Sequence, residues 1–333
     1  VDLLPDEQQA AIAQTARNMI EKSGPLERLR SLSPTDKVTD DAFWASAARN
    51  GFFALDVPDE LGGAGLGLAE QTLIFRELGR GLVPGPFLGT ALGVQAALAA
   101  DSGDLLEEIS SGARPVGLLE RIGDNLYRTL DFGEATTWVV ADDVTALYDD
   151  AAIEVVEVKN EVDPATRPAH LRVAGRPLVE VASDEFDGNA YMSILLAAIL
   201  SGSAEATRDM SASYTKVREQ FGVPIGSFQA VKHRCADMAV RAEAATQIVT
   251  LAALAAAETR SDARLLGLTA LSIGRDHATR NAGDNIQNHG AIGLTAEHGA
   301  SLYLERTQVW CTVGLPATEL REAILDAPNE RPV

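Results

Sequence analysis

The sequence predicts an α+β fold: an N-terminal helical domain over residues 1–112, a small middle antiparallel β domain over 113–187 and a C-terminal four-helix bundle over 188–333. Three observations predict it. Apolar residues recur at 3.6-residue spacing in both outer parts of the chain. Between those parts, short runs of β-branched residues alternate with Asp, Gly and Asn breaks. No ten-residue helical pattern separates those runs, so a parallel βαβ sheet has no support.

Each element has its own signal. In DEQQAAIAQTARNMIEK, Ile12, Ala16, Met19 and Ile20 mark one helical face, and acids follow Pro5 in the first turn. A further helix ends near Asn50-Gly51. A glycine-rich loop then leads into an amphipathic helix over 68–78, which Pro84 and Pro86 stop. The strand runs are TTWVVA, TALY, AIEVVEV, HLRVA and LVEVA. Beyond Gly188, residues Leu195, Leu196, Ile199, Ala206 and Met210 mark the buried side of a long helix ending near Arg218. Residues 236–257 are so rich in alanine that they demand close helix-to-helix contact, and a third long helix runs over about 263–286. Long antiparallel helices joined by short turns make a bundle.

Composition narrows the function. The 333 residues carry 48 acidic and 28 basic side chains, a formal charge of −20, and 46% are hydrophobic. Such a chain buries a sizeable core in two or three domains. Phosphate backbones and anionic lipid would repel it, so neither nucleic acid nor a membrane surface is expected as a partner. No window approaches twenty uninterrupted apolar residues, and the VDLLPDEQQ start lacks the basic and apolar regions of a signal peptide, so a cytoplasmic protein is expected. Cys235 and Cys311 are too few for a disulfide framework or a zinc cluster. His170, His233, His277, His289 and His298 form no metal-ligand spacing, so no metal is expected. No serine lies in a G-x-S-x-G elbow. Gly62, Gly63, Gly65 and Gly67 have the wrong spacing for a dinucleotide-binding turn and read as a surface loop.

Two segments stand out. YTKVREQFGVPIGSFQAVKHRCADM places Arg218 at a helix end, then the turn FGVPIG, then Phe228-Gln229 opening the next helix. A guanidinium, an aromatic ring and an amide around one turn can hold an anion beside a planar ring, since the arginine fork suits diphosphate oxygens. The same residues also suit a plain helix–turn–helix corner, with Phe221 packed inward and Arg218 capping carbonyls. In IQNHGAIGLTAEHGASLYLER, Gln287, Gly290 and Gly293 lie in a turn where missing side chains let a phosphate approach. An ordinary helix C-cap with a loop accounts for them equally well.

Together these segments resemble the acyl-CoA dehydrogenase family over nearly the whole chain. The matching motifs are the W-x-x-x-x-x-x-G-F run from Trp44, VPDELGGAGL, ELGR, REQFG, Phe228-Gln229, ADM at 236–238 and QNHGAIGLTAEH. The resemblance implies a helical domain, a β domain and a four-helix bundle, with FAD lying across a subunit interface. Carried onto this sequence, the diphosphate and adenosine contacts made to a neighbouring chain's flavin become Arg218, Gln220, Phe221, Phe228 and Gln229, then Gln287, Gly290 and Ala291. Ala291 stands where a second glycine is usual.

The departures are specific. Family members remove the α-proton of the acyl-CoA with a glutamate at one of two places, which align here with Gly314 and Met192. Neither side chain accepts a proton. The T-E-P-x-x-G-S-D loop and the W-[ST] strand that contact the flavin ring are also missing; Trp138, in TTWVV, is no equivalent. The resemblance therefore implies no catalytic residue in this chain. It implies a subunit of a heteromeric α2β2 enzyme that completes the FAD site of a homologous full-length partner. That partner would hold most of the acyl-CoA, and an electron-transfer flavoprotein or similar acceptor would take the electrons. Short chains of this pattern resemble subunits of actinobacterial steroid side-chain degradation. The alternative is a self-sufficient homo-oligomer with a relocated base, for which Glu297, Glu305 and Glu319 are the nearby acids in sequence.

Overall fold

The computed structural model describes residues 3–33, 35–160, 162–295 and 298–327. Six helices come first: α1 (Glu7–Ser23), α2 (Pro25–Ser31), α3 (Asp41–Arg49), α4 (Leu68–Arg80), α5 (Phe87–Ala99) and α6 (Gly103–Ser110). Seven strands follow: β1 (Val116–Gly123), β2 (Leu126–Thr129), β3 (Thr137–Ala141), β4 (Val144–Asp149), β5 (Ile153–Val158), β6 (Ala169–Val173) and β7 (Val179–Ala182). Next come α7 (Gly188–Val217), a hairpin of β8 (Glu219–Gln220) and β9 (Val223–Pro224), then α8 (Gln229–Ala257), α9 (Ala263–His289), α10 (Ala300–Trp310) and α11 (Ala317–Asp326). This is the helix–sheet–helix order of the expected fold. The chain divides into two compact units, one of Val1–Arg30, Thr72–Val83 and Ser193–Val333, the other of Ser31–Gln71 and Pro84–Met192.

The first unit is helical. Asp6 caps α1 by accepting from Gln9 N at 2.8 Å, while Gln9 Oε1 accepts from Asp6 N, a reciprocal pair that satisfies two otherwise orphaned donors. Small residues set the helix spacing. A Cβ at Gly202 would collide with the Arg76 carbonyl, and one at Gly79 with the Ile199 carbonyl, so α7 and α4 meet backbone to backbone. Asn281 of α9 forks to the carbonyls of Ala204 in α7 and Met238 in α8, both at 3.0 Å. Ser203 of α7 bonds Thr307 of α10 at 2.8 Å. These links tie α7, α8, α9 and α10 into the bundle. By length and composition alone, α7 and α8 are apolar enough to cross a bilayer, but α7 is packed inside the bundle and α8 carries Lys232, Arg234, Asp237 and Arg241.

In the second unit, Trp44, Phe53 and Phe87 pack ring against ring, with Trp44 and Phe53 centroids 4.5 Å apart. Trp44 Nε1 also donates to Gly112 O at 2.9 Å. The W…GF motif is thus a core element. The sheet runs β5-β6-β2-β1-β3-β4-β7. The expected antiparallel pattern has one exception: Val116–Leu119 of β1 run parallel to Thr137–Val140 of β3. β1 turns back through Asn125 (φ 48°) onto β2, which takes one of its edges, so β3 pairs on the other edge in the same direction. Neither β1 nor β2 was among the expected strands.

Candidate functional site

The hairpin after α7 has a backbone shaped for exposure. Phe221 (φ 55°) and Gly222 (φ 79°) both lie in the left-handed region, as a two-residue turn of this type requires. Glycine adopts it freely; a phenylalanine there costs on the order of 1 kcal/mol. No packing offsets that cost, because Phe221 is 93% exposed. Its one ring contact is edge-on to Phe228, 6.2 Å away at 86°. The inward-packed corner is therefore overturned: Phe221 points to solvent, and among the described residues the Arg218 guanidinium makes no hydrogen bond or ion pair. Gln229 opens α8, also exposed.

The second turn comes from the end of α9. Gly290 (φ 66°) ends the helix, and a Cβ built on it would meet nothing within 4 Å. Gly293 is different: a Cβ there would press on His289 Cβ at 2.9 Å, so this glycine is needed for packing. The two turns share an open cleft of about 390 Å³ whose walls include Arg218, Gln220, Gln287, Gly290 and Ala291. Five of the eight residues singled out from the sequence thus converge, although about seventy positions separate the two segments. Tyr214 and His289 line the same cleft and were not singled out. The signal was present: Tyr214 lies one helical turn before Arg218, and His289 is inside QNHG.

The two positions expected to stand in place of a proton-abstracting glutamate differ in burial, Met192 being buried and Gly314 half-buried. Met192 is 4% exposed in the first turns of α7. Beside it, the Tyr191 hydroxyl donates to Asp56 Oδ2 at 2.7 Å, with the tyrosine buried and the aspartate partly so. Burial pushes the Asp56 carboxyl above the usual carboxylate range, against the Tyr191 hydrogen bond. Asp59 and Glu60 line the cleft next to Asp56, giving it an acidic rim. Gly314 sits at φ 78° in the turn before α11, where Arg275 Nη1 donates to Leu315 O at 2.8 Å and Nη2 to Val313 O. A guanidinium thus braces the turn where the aligned glutamate would stand. Of the other acids, Glu305 is partly buried on α10, Glu319 is exposed in the first turn of α11, and Glu297 lies outside the described residues. Trp138 is 1% exposed and donates Nε1–H to Asp150 Oδ1 at 2.8 Å, so its ring serves the sheet core with Leu119, Tyr127 and Leu171.

Family models for the acyl-CoA dehydrogenase N-terminal domain and C-terminal domain match residues 6–104 and 190–313. The acyl-CoA dehydrogenase IpdE2 of Mycobacterium tuberculosis is 34% identical over 308 residues, spanning 91% of this chain and 92% of that protein. The chain belongs to the acyl-CoA dehydrogenase family. Solved structures agree on the fold. The ChsE4–ChsE5 complex from Mycobacterium tuberculosis superposes with a TM-score of 0.85 at 22% identity, covering 100% of both chains. The Tcur3481–Tcur3483 steroid acyl-CoA dehydrogenase, in its G363A variant, gives 0.85 at 23% identity over 96% of this chain and 97% of that one.

FAD is the cofactor of this family. The Arg218–Gly290 cleft fits its diphosphate end: a guanidinium fork without an internal partner, amides at Gln220 and Gln287, and open space over Gly290. The exposed Ala291 methyl leaves that approach open.

Proposed function

We propose that this chain is the half-site subunit of a heteromeric FAD-dependent acyl-CoA dehydrogenase. It completes the flavin site of a homologous full-length partner in an α2β2 assembly. When bound, FAD supplies the hydride acceptor for α,β-dehydrogenation of the acyl-CoA thioester. This chain's own part is binding. Arg218 neutralises diphosphate charge, Gln220 and Gln287 offer amide donors, and Gly290 and Ala291 let the backbone come close. Phe221, Phe228 and Gln229 complete the turn that faces the nucleotide. The partner contributes the α-proton acceptor, the flavin-ring pocket and most acyl contacts.

The observation that carries this reading is the convergence of Arg218, Gln220, Gln287, Gly290 and Ala291 on one exposed cleft, while Met192 is buried. Likeness to two-component complexes, one of them described as a steroid enzyme, supports a heteromer acting on a bulky CoA thioester such as a steroid side chain. An electron-transfer flavoprotein or similar acceptor would reoxidise the complex. The three-part division at 112/113 and 187/188 belongs to the same reading.

The test is expression alone and together with a full-length homologue, with flavin absorbance measured per chain. The expected result is little flavin on the lone chain and one FAD per heterodimer. Full flavin occupancy and turnover by the lone chain would overturn the proposal.

A further inference from the structure

Three rings meet beside the cleft, Tyr214 stacked on His289 and His298 tilted against it. Tyr214 and His289 lie 4.2 Å apart between centroids at 30°, and His289 and His298 lie 4.4 Å apart at 48°. Tyr214 is on the last turn of α7, and its carbonyl accepts from Arg218 N at 2.9 Å. His289 is the residue before the Gly290 bend. The stack therefore joins the two walls of the cleft through Tyr214 and His289, both of which line it.

In the neutral form, the hydrogen bonds set the tautomer of each imidazole. His289 Nδ1 faces Asn285 O at 2.8 Å, and since a carbonyl only accepts, Nδ1 carries the proton and Nε2 the lone pair. His298 Nδ1 accepts from Ala300 N at 3.2 Å, so its proton is on Nε2, and protonating Nδ1 would break that bond. His289 is 5% exposed, so a second proton there would be a buried charge. Around the pair, α7 presents the neutral Tyr214, α9 the Asn285 carbonyl, α10 the Ala300 N–H and the end of α2 the cationic Arg30. Among the described residues no carboxylate offsets an imidazolium here. Burial holds both groups below the ordinary imidazole value, and for His298 the neighbouring His289 and Arg30 push the same way.

We infer that the Tyr214–His289–His298 stack positions the flavin-diphosphate cleft, holding the Arg218 end of α7 beside the Gly290 bend only while both imidazoles are neutral. The inference rests on the flavin assignment proposed above. In acid, two like charges on adjacent rings repel, Tyr214 loses its partner, and the walls of the cleft come apart. Because both groups sit low in the folded chain, their holding effect is complete above the ordinary imidazole value of about 6.5. It is lost as pH falls through their depressed values.

The test measures FAD affinity of the assembled complex from pH 8 to pH 5, by fluorescence of released flavin. The parent should lose affinity tenfold or more at the acid end. His298→Phe keeps a ring in the stack that takes no proton and should flatten the profile. His289→Ala removes the middle ring and should weaken FAD about tenfold at neutral pH. A His298→Phe profile parallel to the parent's, or unchanged affinity in His289→Ala, overturns the inference. Arg218→Ala separates the two levels. If it too keeps FAD, the flavin assignment itself has failed. If it releases FAD while both histidine variants behave as the parent, only the stack is wrong. NMR titration of the five histidines in the unmodified chain needs no variant: His289 and His298 should titrate below the ordinary value, and ordinary titration of both overturns the inference.

Discussion

Around Gly290 the chain leaves a guanidinium, two amides and a strained phenylalanine facing solvent, whereas around Met192 it folds polar groups onto one another. Both regions are ones that the motif resemblance marked in the sequence. In the first, Arg218 and Gln287 face the open cleft; in the second, the side chains pack and hydrogen-bond to one another. A strained residue with one edge-on ring contact inside the fold, such as Phe221, accords with the proposed contact to a partner. On the other side, Trp138 donates to Asp150 inside the sheet core, and Tyr191 closes on Asp56. The contrast, more than any single residue, is what the half-site proposal rests on.

The comparison can be broken or sharpened experimentally. The largest effect is expected on the closed side. Trp138→Ala empties a fully buried site in the sheet core and should cost about 3–5 kcal/mol of unfolding free energy. Denaturant titration checks this, and a loss near zero would mean that Trp138 is not core. Next, on the exposed side, Arg218→Ala removes a charge-assisted contact of about 1.5–3 kcal/mol. FAD retention by the complex should fall tenfold or more while thermal stability of the lone chain is unchanged. Binding loss without stability loss is the signature of an open site.

Tyr191→Phe leaves Asp56 without its hydroxyl donor and should destabilise by about 1–3 kcal/mol. Asp56→Asn should act with the opposite sign. Burial raises the Asp56 carboxyl, so its stabilising contribution is complete below the unfolded value of about 3.9 and is lost as pH rises through the folded value. At pH 7 the asparagine variant should therefore be slightly more stable than the parent, with a flatter stability profile above pH 4; thermal melts across that range decide it. The smallest stability effect belongs to Phe221→Ser, within about 0.5 kcal/mol. Flavin capture with the partner should nevertheless drop, and unaltered capture would remove Phe221 from the site.

Much of the architecture was legible in advance. The Pro5–Asp6 start announced α1, and the alanine-rich run announced the close-packed α8, because helix signals are local and repeat every turn. The REQFG and QNHGAIG motifs are also linear, so they marked five residues of the cleft directly. The β1 and β2 strands were missed because VGLLERIG is a short apolar run followed by polar residues, a pattern shared by helix ends and strands. The direction of Phe221 was left open because both a corner and an exposed turn use the same residues; its positive φ and exposure decide between them.

By itself, the sequence determined the helix–sheet–helix order, the family, and the absence of a carboxylate at positions 192 and 314. These properties are written in neighbouring residues. Only the tertiary structure decided that β1 and β3 run parallel, that Tyr191 closes on Asp56 across 135 positions, and that Tyr214, His289 and His298 meet. Such pairings depend on which distant segments meet once the whole core is packed, and no local periodicity carries that information.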